Sequence, residues 1–258
     1  MKKIIFFLIT IFLFSCTPKK DVVYYQNIDN LPPQAYSNSY EIQIQPDDLL
    51  SIIVFAEDPE IASPFNLATT NLQKSIKSGQ SGGQGAMQLY LVDADGNIEF
   101  PVLGKIKVSD LSRTDVLNMF RSKIAVYIKN PIVNIRIANF KVAIQGEVKS
   151  AGVYNIESER ITLIEALSMA GDLTIYGKRD NILIIREING VKSFNRVDIT
   201  KGDFINSPFY YLAQNDVVYV EPNKNKVRAA AVNPNTTLIF SVTSILITIV
   251  SLIITITK

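Results

Sequence analysis

Few side chains in this 258-residue chain are able to do chemistry. Asp47, Asp48, Asp93, Asp95, Glu147, Glu165 and Asp216 could supply paired carboxylates. Two such groups roughly 5 to 10 Å apart across a sugar cleft would suit a glycosidase. Each also has a blander role, in a turn, a helix cap or an exposed strand. The chain has no histidine and one cysteine, which excludes Ser-His-Asp and Cys-His nucleophiles, most metal sites and any intramolecular disulfide. Catalysis would have to rest on carboxylates, Lys or Tyr, and neither a metal nor a cofactor is expected.

Two loops invite ligand readings. Ser78 to Gly85 is glycine-rich, but no Gly-Lys-Ser/Thr follows at phosphate-loop spacing, so it reads as a flexible surface loop. Asp93-Ala94-Asp95-Gly96-Asn97 looks like a calcium loop, yet the bidentate Glu such a loop needs is replaced by Gly104. Asp-Gly between the alternating segments Tyr90 to Val92 and Ile98 to Phe100 predicts a hairpin instead, because its turn needs positive φ.

The elements around these loops follow from periodicity. Tyr40 to Gln45 alternates apolar with polar residues, and Pro46-Asp47-Asp48 is turn chemistry before Leu49 to Phe55, which predicts a hairpin. Ser112 should cap a helix that buries Val116, Phe120, Ile124 and Tyr127 and ends at Asn130-Pro131. A strand over Val133 to Ile137 follows. A second unit opens with a strand at Lys141 to Gln145. Thr162 and Glu165 form a capping box for a helix presenting Leu163, Ala166, Leu167 and Ala170, with Gly171 as its stop. Ile182 to Ile185 and Val217 to Val220 complete a β-grasp-like α+β module of about 80 residues.

The charge balance, 26 basic against 24 acidic residues, leaves no footprint for a polyanion, and no nucleic-acid partner is expected. A mean hydropathy of +0.17 is raised by the two ends. Met1-Lys2-Lys3, the apolar stretch Ile4 to Phe14 and Ser15-Cys16 have secretory-signal anatomy, too short for a membrane span. Thr236 to Thr257 is free of charge and as a helix would be about 33 Å long, so a single C-terminal transmembrane helix is expected. Thr237, Ser241, Ser244, Thr248, Ser251 and Thr255 recur three or four positions apart and would form one hydroxyl stripe. Such a stripe favours water or another helix over lipid, making these residues pore-lining candidates. A lone anchor and tight small-residue helix packing are the other readings. Lys224, Lys226 and Arg228, just upstream, could meet anionic headgroups at a membrane face or belong to a solvated linker.

Leu13-Phe14-Ser15-Cys16 resembles the lipobox of bacterial lipoproteins, which makes Cys16 the lipidated, palmitate-bearing first residue of the mature chain; an incidental cysteine is the plain alternative. Thr17, where Asp would signal inner-membrane retention, implies the outer membrane by the same resemblance. Three longer segments resemble the outer-membrane polysaccharide export family. They are Tyr40 to Val54 with its Pro46-Asp-Asp48 turn, Val92 to Ile106 leading to Tyr127 to Val133, and Val142 to Tyr154 with Leu163 to Leu167 and Ala170-Gly171. The last resembles the soluble-ligand-binding β-grasp (SLBB) module, with Asn215 to Val220 as its closing strand. Asp172 departs from the second glycine expected there, the loop around Ser78 to Gly85 is an insertion, and a single SLBB module implies a shorter periplasmic stack.

The resemblance implies an α+β fold laid out as signal peptide 1–15, tether 16–37, polysaccharide export domain 38–140, SLBB domain 141–222, linker 223–235 and transmembrane helix 236–257. It also implies a lipid-anchored outer-membrane protein with most of the chain in the periplasm. Copies would form a homo-oligomeric ring that conducts capsular polysaccharide or exopolysaccharide. The implied partners are outer-membrane lipid, the polysaccharide itself and an inner-membrane co-polymerase of the tyrosine-kinase type. Export needs no chemistry on its substrate, so the chain reads as no enzyme; a non-transporting cell-envelope binding or assembly lipoprotein is the alternative. Metabolic labelling with a fatty-acid probe should tag the wild type and miss Cys16→Ala, and equal labelling of both would reject the lipid anchor.

Overall fold

The computed structural model describes residues 20, 22–32, 41–66, 68–69, 86–188, 190–231 and 234–256. The signal segment, Cys16 and the glycine-rich loop lie outside them. Strand β1 (Leu49–Phe55) forms because Leu50, Ile52 and Val54 alternate into the core. It is followed by α1 (Pro59–Ala62), β2 (Ala68–Thr69), β3 (Ala86–Met87), β4 (Leu89–Leu91), β5 (Asn97–Phe100), β6 (Gly104–Lys107), α2 (Arg113–Ile124) and β7 (Ile132–Ile137). The main sheet of this first unit is antiparallel in the order β4-β1-β7, with Leu50 opposite both Tyr90 and Ile137.

The expected hairpin between residues 40–45 and β1 does not form. Both edges of β1 are occupied by β4 and β7, and Gln43 makes only an isolated bridge to Ser112. The Asp93–Asn97 turn closes as read, with Gly96 at φ +80° and Asp93 Oδ1 accepting from the Asn97 N–H at 2.7 Å. Its flanks pair elsewhere, however: β4 joins β1 and β5 folds back on β6, a closure with little loop entropy to overcome. Helix α2 starts at the Ser112/Asp115 capping box and buries Val116, Phe120 and Ile124. It ends at Ile124, before Asn130-Pro131. Tyr127, expected in the core, therefore leaves the buried helical face; it is 56% exposed and packs its ring near Phe65.

The second unit contains β8 (Lys141–Gly146), β9 (Gly152–Asn155), β10 (Ile161–Thr162), α3 (Leu163–Met169), β11 (Gly177–Ile188), β12 (Val191–Val197), β13 (Tyr211–Leu212) and β14 (Val217–Pro222). Its five-stranded sheet runs β12-β11-β14-β8-β9, with β14 parallel to β8 and every other pair antiparallel. Leu163, Ala166 and Leu167 of α3 share a core with Ile144, Ile182, Ile184 and Ile199. The Thr162/Glu165 box caps α3, and Gly171 at φ +75° follows its end, as the spacing predicts. Strand β12 escapes a periodicity reading because most of its residues are exposed on both faces.

Inside this unit Arg186 of β11 clasps Asp216 ahead of β14, both nearly inaccessible to water. Arg186 Nη2 lies 2.6 Å from Asp216 Oδ2 and Nε 2.9 Å from Oδ1; Nη2 also donates to the Tyr211 carbonyl. Asp216 Oδ2 accepts from the Ala213 N–H as well. Every oxygen of the carboxylate is thus engaged, the condition under which a buried pair is tolerable.

Residues 23–31, within the stretch expected to be a tether, dock on this second unit. Gln26 N donates to the Thr200 carbonyl at 2.8 Å, Asn27 Oδ1 accepts from Gly202 N at 2.6 Å, and Tyr24 donates to Asp172 Oδ1 at 2.6 Å. A Cβ on Gly202 would come within 3.0 Å of Ile28 and Leu31, so glycine permits the close approach.

Past β14 the chain continues as α4 (Lys224–Ala231) and α5 (Pro234–Ile256). The expectation of a transmembrane helix over 236–257 needs correction. A helix forms there, but among the described residues no helix is long and apolar enough to cross a membrane. Side chains at 234–240, 242, 250 and 254 lie outside the description, and the apolar residues that remain are interrupted by Ser241, Thr243, Ser244, Thr248, Ser251 and Thr255.

The two units meet at Asn139, in the turn between β7 and β8. Its Oδ1 accepts from Leu49 N and its Nδ2 donates to the Asp47 carbonyl, each at 2.9 Å. Gln214 donates to the Asn139 carbonyl at 2.9 Å and accepts from Lys141 N at 2.8 Å. Beside this junction Asp48 is wholly buried; its Oδ2 accepts from Gln45 N, and Oδ1 has no partner. Burial raises its carboxyl from 3.8 to about 6.

Removing one partner of the buried pair, in Asp216→Ala, should cost about 3–5 kcal/mol in urea denaturation, by stranding Arg186. A loss below about 1 kcal/mol would contradict the clasp. Asp48 should make stability depend on pH. Between about pH 4 and 6 the folded state keeps a proton that the unfolded chain has released, so its contribution is complete below pH 4 and lost as pH rises to 6. Asp48→Asn should therefore gain on the order of 2–3 kcal/mol relative to wild type between about pH 4 and 7. A pH-independent difference would refute the assignment.

Candidate functional site

Two clefts flank the junction. One, of about 480 Å³, is bounded by Glu41, by Arg113 and Thr114 from the first turn of α2, by Arg136 of β7, and by Glu159 and Arg160 from the loop before β10. Arg113 reaches Glu159 across the two units at 3.3 Å, and Thr114 donates to Glu41 at 3.0 Å. The Arg160 guanidinium stands 5.2 Å from the Tyr211 ring centroid. Arg136 lies on the exposed face of β7 and has no ion-pair partner among the described residues. The other cleft, of about 680 Å³, is bounded by Gln45, Asp47, Asp95, Lys107, Glu187 and Asn215. Walls of guanidinium, carboxylate and amide groups can exchange hydrogen bonds with a hydroxyl-rich polymer.

The carboxylates singled out from the sequence are not gathered into an acid–base pair. Asp47 occupies a turn at φ +70°, Asp48 is sealed from solvent, and Asp93 and Asp95 face Lys105 at 3.2 and 3.9 Å. Glu147 accepts from Thr174 and pairs with Lys226, Glu165 closes the cap of α3, and Asp216 is clasped by Arg186. Glu221, which sequence reasoning passed over, has its carboxyl lowered to about 2 by Lys178 of the adjacent β11 and Arg196 of β12 beyond it. Among the described residues no cluster of His, Cys, Asp or Glu side chains is placed to hold a metal ion. The arginines of the first cleft, with Asn139 and Gln214, were also missed. Their partners lie far away in sequence, and no local pattern marks them.

Of the hydroxyl stripe, Ser241, Ser244, Thr248, Ser251 and Thr255 are described on α5; the side chain of Thr237 is not. Ser244 donates to the carbonyl of Ser241, Thr248 to that of Ser244 and Thr255 to that of Ser251, each at 2.8 Å. The donor needs of these three hydroxyls are met inside the helix, so they do not require water. Lys224, Lys226 and Arg228 are exposed on α4. Lys226 is tied back to the second unit, 3.5 Å from Glu147 and 5.3 Å from the Tyr176 ring centroid.

Comparison with known proteins matches residues 36–138 to the polysaccharide biosynthesis/export protein family and residues 140–220 to the SLBB domain. The EPS I polysaccharide export outer membrane protein EpsA of Ralstonia nicotianae is 31% identical over 166 residues, covering 63% of this chain and 42% of that protein. Its namesake from Ralstonia solanacearum is 27% identical over 220 residues, covering 83% of this chain and 56% of the relative. The chain thus spans about half the length of the curated relatives it matches. Both relatives carry the names of transport proteins, not enzymes. The chain thus carries an export domain of the polysaccharide biosynthesis/export family, joined to an SLBB module through the Asn139 junction.

Proposed function

We propose that this chain is an outer-membrane export lipoprotein, anchored through Cys16, whose copies assemble into an oligomeric conduit for capsular polysaccharide or exopolysaccharide. The observation that supports it most is the end-to-end match of both units to an export domain and an SLBB domain, with relatives named for exopolysaccharide export. Most of the carboxylates agree with it: Asp48 is buried, Glu165 closes a helix cap, and Glu147 and Asp216 are held by Lys226 and Arg186. In this reading the export and SLBB units stand in the periplasm and hand polymer on from an inner-membrane co-polymerase. Copies of α5 ring the path with Thr237, Ser241, Ser244, Thr248, Ser251 and Thr255 turned inward. Ser244, Thr248 and Thr255 spend their hydroxyl protons inside the helix, and their oxygens can still accept from water or polymer.

Deleting the chain should trap polymer inside the cell or halt its synthesis, and the purified protein should cleave no glycan. Turnover abolished by one carboxylate substitution would overturn the export reading. Cysteine placed singly at Ser244, Thr248 or Ser251 should react with a water-borne thiol reagent in the assembled protein, while cysteine at Leu246, Ile249 or Ile253 should not. Uniform protection of all these positions would reject the lumen.

A further inference from the structure

Two segments approach the SLBB unit at one end, and both fasten on the loop between α3 and β11. On the incoming side Tyr24 donates to Asp172, and its ring lies 5.5 Å from the Arg179 guanidinium. On the outgoing side Asn223 N donates to the Tyr176 carbonyl at 2.7 Å, and Lys226 reaches Glu147 and the Tyr176 ring. The loop is stiffly held. Thr174 N donates to the Glu147 carbonyl and Gly177 N to the Thr174 carbonyl, each at 3.0 Å, and Leu173 is buried beneath. Yet its tip turns Ile175, 62% exposed, and Tyr176, 42% exposed, outward, and Met169 ahead of it is also exposed.

The charges around the tip are one-sided. Asp172 is engaged by Tyr24, and Glu147 by Thr174 and Lys226. Lys149, Lys224 and Arg228 are exposed and have no ion-pair partner among the described residues. A fixed aliphatic tip, an adjacent tyrosine and surrounding cations are what a bilayer surface accepts: hydrocarbon takes the aliphatic group, the headgroup layer takes the ring, and phosphates take the cations. A protein partner would not explain why both flanking segments leave at this end.

We infer that the Asp172–Gly177 loop is a lipid-contact site, with Ile175 entering the acyl boundary, Tyr176 at headgroup level, and Lys149, Lys224 and Arg228 on lipid phosphates. This rests on the outer-membrane reading above and adds to it the face of the SLBB unit that meets the membrane. It makes the export unit distal. Strand β11 runs away from the loop for 12 residues, so the β11–β12 tip at Val191 lies about 35 Å from it.

The chain contains no tryptophan, so one introduced residue reports its own surroundings. Full-length protein carrying Ile175→Trp, and separately Val191→Trp, would be reconstituted in phosphatidylethanolamine/phosphatidylglycerol vesicles with and without acyl-chain-brominated phosphatidylcholine. Ile175→Trp should shift to the blue and lose at least half its emission to the brominated lipid, while Val191→Trp should keep its emission. Ile175→Trp unquenched in protein that floats with vesicles overturns the lipid contact alone, as does equal quenching at both positions. A blue shift that follows protein concentration and ignores brominated lipid assigns the loop to a second copy and also overturns it. Protein that fails to float with vesicles overturns the outer-membrane reading and this inference together.

Discussion

Buried main-chain groups must find hydrogen-bond partners, and at the junction of the two units Asn139 provides them. Its side chain completes the first N–H of β1 and the carbonyl of Asp47, and its own carbonyl is met by Gln214 of the other unit. The start of the central strand of the export sheet, the turn out of β7 and the entry to β8 are thereby one hydrogen-bonded assembly. The Arg113–Glu159 pair spans the same boundary at its rim, where solvent screening leaves it a smaller share of the work. The clefts on either side inherit their shape from this arrangement.

The same economy governs the acidic residues. Burial, caps and ion pairs engage Asp48, Glu165, Glu147, Asp216 and Glu221, while Asp47 and Asp95 stay exposed on the wall of the second cleft. Asp48 illustrates the tension. It is enclosed with one oxygen unpartnered, so burial penalises its charged form and the junction carries a group easier to keep protonated than an exposed aspartate. Burial pushes the Asp216 carboxyl up as well, and the forked contact with Arg186 plus a backbone donor offsets part of that penalty.

The second unit is fastened at several points by polar contacts between distant segments. The SLBB unit is stapled by the Arg186–Asp216 clasp, by the docked segment 23–31 and by the contacts of Lys226. Both chain segments that leave it toward apolar stretches do so beside one loop.

Local signals sufficed where the deciding interactions lie within a few residues. The caps at Ser112 and Thr162, the glycine after α3, the Asp-Gly turn and the alternation in β1, β7 and β8 were all legible, because each depends on nearest neighbours in the chain. Three residue segments were enough to suggest both units and the family. Strand pairing was not legible: two alternating segments beside a turn looked like a hairpin, but the partners of β1 were settled by which buried faces could share one core. Tyr127 fell out of its expected face because the helix stopped early, and the docking of Tyr24 and Asn27 depends on residues more than 140 positions away. Composition marked the absence of histidine chemistry at once, while the commitment of each carboxylate to a partner, and the closure of Asn139 on Leu49, Asp47 and Gln214, arise only when distant segments are packed and buried polar groups must be satisfied.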